Sequence, residues 1–148
     1  MTEPSELHRL TELTHALDDR LSKLSHAGII GPHQPCTGEE AVLAGASYAL
    51  AASDWVFWGK QVCVPALVRG VRMSALFTQA LAPNRMKEDL AAQRIVNQTH
   101  GLATRVPHAT GLAWAARHDN VAVLCELGDA SVSDAEFHVG ANFAAVMN

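Results

Sequence analysis

The sequence predicts an α/β fold, a parallel sheet flanked by helices, and three stretches carry that prediction. Val121, Ala122, Val123, Leu124, Cys125 and Leu127 form a nearly continuous apolar run, the pattern of a strand buried on both faces of a parallel sheet. The run passes through Gly128-Asp129 into a helix announced by Ser133 and Glu136 at capping-box spacing, with Phe137, Gly140, Ala141, Ala144 and Ala145 behind them. Asp54 to Trp58, aromatic and β-branched, is a second short strand ended by Gly59. A chain of 148 residues, 49% hydrophobic and 18% charged, is globular and large enough for one domain with a real core.

The other elements follow in chain order. Leu7, Leu10, Leu13, Leu17, Leu21 and Leu24 recur at steps of three and four, which predicts an amphipathic helix with one packed face. Gly28 ends it in a left-handed cap, so residues 1–27 form an N-terminal helix and 28–148 the α/β domain. The segment Pro32 to Pro35 is a loop. Thr37-Gly38-Glu39-Glu40 reads as another capping box, opening a helix whose Ala41, Ala44, Gly45, Ala46 and Ala49 predict close approach of a neighbour and burial. Pro65 to Gly70 predicts one or two helical turns, and Val71 to Leu81 a helix stopped by Pro83. Asn84 to Gln93 is polar and reads as an exposed loop, and the segment from His100 leads into an Ala- and Gly-rich helix with Pro107 in its first turn.

Several function classes drop out. No apolar run reaches the roughly 18 residues of a membrane span, and the acidic N-terminus lacks the basic and apolar regions of a signal peptide, so the expectation is a cytoplasmic protein without a membrane partner. A net charge of −4 without a basic cluster argues against nucleic acid. Cys36, Cys63 and Cys125 are odd in number and widely spaced, which indicates neither a disulfide framework nor a zinc site. His100, His108, His118 and His138 have no local metal-ligand spacing and read as structural.

What remains is the turn at Gly128-Asp129. Ligands of open α/β sheets bind outside the carboxyl ends of strands, and N–H groups at a helix start favour phosphate. Asp129 there has two readings from the residues alone: a carboxylate for a hard divalent cation that bridges to phosphate, or a residue that ends the strand and caps a turn.

The whole stretch GDASVSDAEFHVGANFAA resembles the thiamine-diphosphate motif of the alpha subunit of 2-oxo acid dehydrogenases of the pyruvate and branched-chain type, which typically reads GDGATSEGDFHEALNFAA. Gly128, Asp129, Ser133, Phe137, His138, Asn142, Phe143, Ala144 and Ala145 match; Ala130 replaces the third glycine, and Asp134 and Glu136 exchange one acid for the other. TGEEAVLAGASYALAASDWVF is similar to the family's helix-then-strand stretch, and His100-Gly101-Leu102-Ala103-Thr104-Arg105-Val106-Pro107 to its Ser-Pro-Leu-Ala-Thr-Gln-Ile-Pro segment. The family's Tyr-Arg pair after the first strand is matched by Lys60 and Gln61, and its nearby histidine by Cys63. The resemblance spans residues 26–148, weakest from Trp58 to Gln98.

The resemblance implies a thiamine-diphosphate-binding fold that is incomplete at the C-terminus, since the family's second metal ligand, an Asn some thirty residues past the Asp, lies beyond Asn148. It implies thiamine diphosphate and magnesium as cofactors, with Asp129 on the metal, the amides around Ala130 and Ser131 on the diphosphate, Lys60 as a phosphate ligand, and backbone at His100 and Leu102 at the aminopyrimidine ring. The activity implied is oxidative decarboxylation of a 2-oxo acid with acyl transfer to a lipoyl carrier protein. The glutamate that activates the cofactor belongs to a partner beta subunit, so the chain alone is expected to be inactive. Self-association is the other way of covering an open sheet edge. Against the enzyme stands a noncatalytic interaction or regulatory relative that has lost cofactor binding, favoured by Lys60-Gln61 and Ala130.

Overall fold

A computed structural model describes residues 4–59, 64–82, 89–96 and 101–147. They fall into two compact units, residues 1–49 with 60–89 and residues 50–59 with 90–148.

The first unit is helical: α1 (Pro4–His26), α2 (Glu40–Tyr48), α3 (Val64–Val68) and α4 (Met73–Leu81). The leucine stripe of α1 packs as its spacing predicts, with Leu10, Leu17 and Leu21 buried and Leu7, Leu13 and Leu24 half-buried at its margins. Two polar residues share the buried face. Thr14 returns its hydroxyl to the Leu10 carbonyl at 2.8 Å. Asp18 accepts from His33 Nε2 at 2.7 Å and from the Cys36 amide at 3.1 Å, pinning the loop after α1 to the helix. Gly28 lies at φ +69°, the left-handed cap its position predicts.

The helix α2 departs from expectation in two ways. The Glu40 carboxylate reaches back to the Gly38 amide at 2.7 Å rather than to Thr37, because its other oxygen is held by His15 on α1 at 3.0 Å. Burial covers one face only, Glu40, Leu43, Ala44 and Ser47, while Val42 is exposed. Small residues allow a close approach, but here only one side is approached.

The second unit holds a three-stranded parallel sheet of order β2-β1-β3, with β1 (Trp55–Phe57) between β2 (Ile95–Val96) and β3 (Val123–Cys125). Phe57 pairs with Cys125, so the carboxyl ends of β1 and β3 lie side by side. At the opposite end the Asp54 carboxylate accepts from the Ala51 and Ala122 amides, each at 2.8 Å, tying the starts of the same two strands. The helices are α5 (Arg105–Ala115) and α6 (Ala135–Met147), which pack where Gly140 meets Val106 and Pro107.

Strand β2 was not foreseen: two paired residues behind a polar stretch give no periodicity to read. The buried strand expected over Val121–Leu127 is shorter, and all three residues of β3 are half-buried, because β3 is an edge strand in this sheet. No helix among the described residues is long and apolar enough to cross a membrane.

Candidate functional site

The turn singled out by the sequence sits at the carboxyl end of β3. Glu126 extends the ladder by one step, its amide donating to the Phe57 carbonyl at 2.9 Å, and Gly128 then opens a 3-10 turn over Asp129–Ser133. Asp129 and Ala130 are exposed on this turn, whereas Ser131 is buried. Helix α6 begins after Asp134, whose carboxylate accepts from the Glu136 amide at 3.2 Å. The expected capping box therefore fails in detail: Asp134 does the capping, and Glu136 instead accepts from the Thr104 hydroxyl.

The structure brings the predicted residues of two distant segments together. Ser131 Oγ donates to the Leu102 carbonyl at 2.8 Å, and Thr104 to Glu136 makes a second link between the same two segments. Leu102 is 57% exposed, so its side chain stands open beside the Asp129 turn. The Ser131 amide is spent inside the turn on the Gly128 carbonyl at 3.0 Å, so both of its donors hold the turn in shape. Gly101, at φ +100°, makes the bend that carries the chain into α5. Lys60 and His100, the other two predicted cofactor ligands, lie outside the described residues, as do Gln61 and Cys63.

Beneath the turn lies a polar knot that sequence reasoning missed. Arg105, only 5% exposed, donates through one terminal nitrogen to the Trp58 carbonyl at 3.2 Å and to the Glu126 carbonyl at 3.1 Å. The Gly59 amide donates to Glu126 Oε2 at 3.0 Å. A Cβ on Gly59 would lie 2.4 Å from the Glu126 carbonyl oxygen and 2.6 Å from the Arg105 guanidinium, so this crossing requires glycine. The available signal was Arg105 itself, a large cation where the similar family segment has glutamine. Burial pushes the neighbouring Cys125 thiol up to about 11, with Arg105 drawing it down and Glu126 raising it, so the thiol stays protonated at neutral pH.

The arrangement presents a carboxylate on an exposed turn, at the strand ends of a parallel sheet, next to an open loop from a second segment. Among the described residues no group of three or more His, Cys, Asp and Glu is placed to hold a metal by itself. A magnesium ion is compatible with one carboxylate when phosphate and water oxygens complete its shell.

Fold and site thus define an α/β domain whose strand-to-helix turn opens at the carboxyl ends of a parallel sheet. Residues 8–148 match the family described as dehydrogenase E1 component, and the chain belongs to that family, on its alpha-subunit side. It is 31% identical over 158 residues to the 2-oxoisovalerate dehydrogenase subunit alpha of Bacillus subtilis, covering 97% of this chain and 48% of that one. With the 3-methyl-2-oxobutanoate dehydrogenase subunit alpha of Mycobacterium tuberculosis the identity is 29%, over 95% of this chain and 39% of the relative. The human mitochondrial 2-oxoisovalerate dehydrogenase subunit alpha is 26% identical over 96% of this chain and 34% of its own length. The chain spans about half the length of these relatives or less.

Proposed function

We propose that this chain is the alpha-subunit-like part of a thiamine-diphosphate-dependent 2-oxo acid dehydrogenase, working in the cytoplasm with a beta subunit, or by self-association, on decarboxylation and acyl transfer to a lipoyl carrier. The observation that carries the reading is the Ser131 to Leu102 hydrogen bond, which joins the two segments that the family uses for the diphosphate and the pyrimidine. Membership of the family and the resemblance of its relatives' names support the substrate class.

In this reading Asp129 holds magnesium, Ala130 and Ser131 mark the diphosphate position, Leu102 and His100 flank the pyrimidine, and Lys60 adds a point charge for phosphate. The cofactor, once bound, would supply a nucleophilic carbon and an electron sink for decarboxylation. The chain's own work is positional. The buried Ser131 hydroxyl and the Arg105 knot fix the turn, and the Leu102 backbone anchors it to the loop ahead of α5.

The test is calorimetric titration of the protein with thiamine diphosphate and magnesium, beside Asp129→Ala. Micromolar binding that disappears in the variant is the expected result. Absence of binding by the wild type would overturn the reading and favour the noncatalytic relative, for which Lys60-Gln61 in place of Tyr-Arg and Ala130 in place of glycine already speak.

A further inference from the structure

We infer that Arg105 is a positioning residue, whose buried guanidinium clamps the carboxyl ends of β1 and β3 and thereby sets the place of the Asp129 turn. The inference deepens the proposed function and rests on it only for the ligand. A parallel ladder ends where its strands diverge, and the carbonyls just past the last pair need other donors if they are buried. Trp58 and Glu126 are those residues, one step beyond the Phe57–Cys125 pair, and a single Arg105 nitrogen serves both carbonyls. The two bonds are long because one nitrogen is shared between two acceptors, and the charge on the donor strengthens them relative to a neutral one.

Three further observations show that the clamp is built. Gly59 leaves the room that any side chain would take from the guanidinium. The Glu126 carboxylate turns back onto the Gly59 amide, crossing the same gap between strands. Arg105 Nε is buried with no hydrogen-bond partner among the described residues, a cost that the fold accepts to hold the side chain here. Neither lysine nor glutamine reproduces the grip, because both carbonyls are held by the outermost nitrogen of the arginine: the lysine ammonium sits one bond nearer the backbone and the glutamine amide two.

The link to the site is geometric. Arg105 grips the chain at Glu126, three residues before Asp129, while Ser131, two residues after it, is tied to Leu102 on the same segment as Arg105. The Asp129 turn is thus held at both ends by one short stretch, Leu102 to Arg105. Remove the rear anchor and the carboxylate is no longer aimed.

The test is hydrogen exchange and calorimetry on the 148-residue chain as wild type, Arg105→Lys and Arg105→Gln. Amides of residues 127–134 are expected to exchange roughly tenfold faster in both variants, with α1 and α5 unchanged. Affinity for thiamine diphosphate with magnesium is expected to fall roughly tenfold, the scale seen when a ligand's outer support is lost. Unchanged exchange in 127–134 would overturn the inference, and so would equal loosening of α5, which marks a merely structural role. If Arg105→Gln does not fold, the charge-retaining Arg105→Lys decides by the same criteria. The stated exchange pattern without cofactor binding by the wild type would remove the proposed function and leave the clamp standing.

Discussion

Ser131 donates its hydroxyl to the Leu102 carbonyl at 2.8 Å, a bond between residues 29 positions apart that fixes the Asp129 turn to the loop ahead of α5. Ser131→Ala deletes it and leaves a partly exposed carbonyl to water. The expected cost is about 1 kcal/mol, or a fall of about 3 °C in melting temperature. Thermal unfolding followed by circular dichroism measures it, and an unchanged melting temperature would show that the bond holds nothing.

The α5–α6 packing predicts glycine substitutions of opposite sign. A Cβ on Gly140 would lie 2.8 Å from both the Pro107 nitrogen and Val106 Cγ1, and backbone cannot step aside cheaply. Gly140→Ala is expected to destabilise by about 2 kcal/mol. Gly111, in the same pair of helices, has nothing within 4 Å of its would-be Cβ, so Gly111→Ala is expected to stabilise by up to about 1 kcal/mol through helix propensity. Urea midpoints of the two variants settle the pair.

Stability should vary with pH through His15 and Glu40. The hydrogen bond to Glu40 raises His15 above 6.5, with Glu12 and Asp19 adding to it, and the same bond draws Glu40 below 4.5. The histidine's contribution is full below its ordinary value and lost as pH climbs through the raised one; the carboxylate's is full above its ordinary value and lost as pH falls through the depressed one. The pair therefore helps most between 4.5 and 6.5 and fades on either side. His15→Gln should lose stability at about pH 5.5 and little at about pH 8.5. An equal loss at both pH values in denaturant titrations would contradict the linkage.

Cys36 and Cys125, the two cysteines among the described residues, should be inert in the native state. Burial and the Asp18 carboxylate push the Cys36 thiol up to about 12, and burial pushes Cys125 up to about 11. At pH 8 the thiolate is then about one part in ten thousand for Cys36 and about one in a thousand for Cys125. Iodoacetamide at that pH is expected to leave both unlabelled until urea is added, as read by peptide mass spectrometry.

The elements were legible because their signals are local. A leucine every third or fourth residue makes α1 whatever surrounds it, and Gly28 ends that helix for reasons contained in a few residues. The Gly128-Asp129 turn between a strand and a helix was legible for the same reason, and so was the family, since its motif is a continuous run. Local rules failed wherever a distant partner intervened. Glu40 was drawn away from Thr37 by His15, and Glu136 away from Ser133 by Thr104, because a side chain takes the best donor in reach rather than the nearest in sequence.

The sequence by itself thus determined the α/β class, the order of its main helices and strands, and the residue types at the Gly128-Asp129 turn. Only the tertiary structure decided that β3 is an edge, that Leu102 and Ser131 touch, and that Arg105 bridges Trp58 and Glu126 across two strand ends. Helix periodicity and turn chemistry depend on neighbours a few residues away, whereas a buried carbonyl left at the end of a ladder must find its donor wherever the fold brings one.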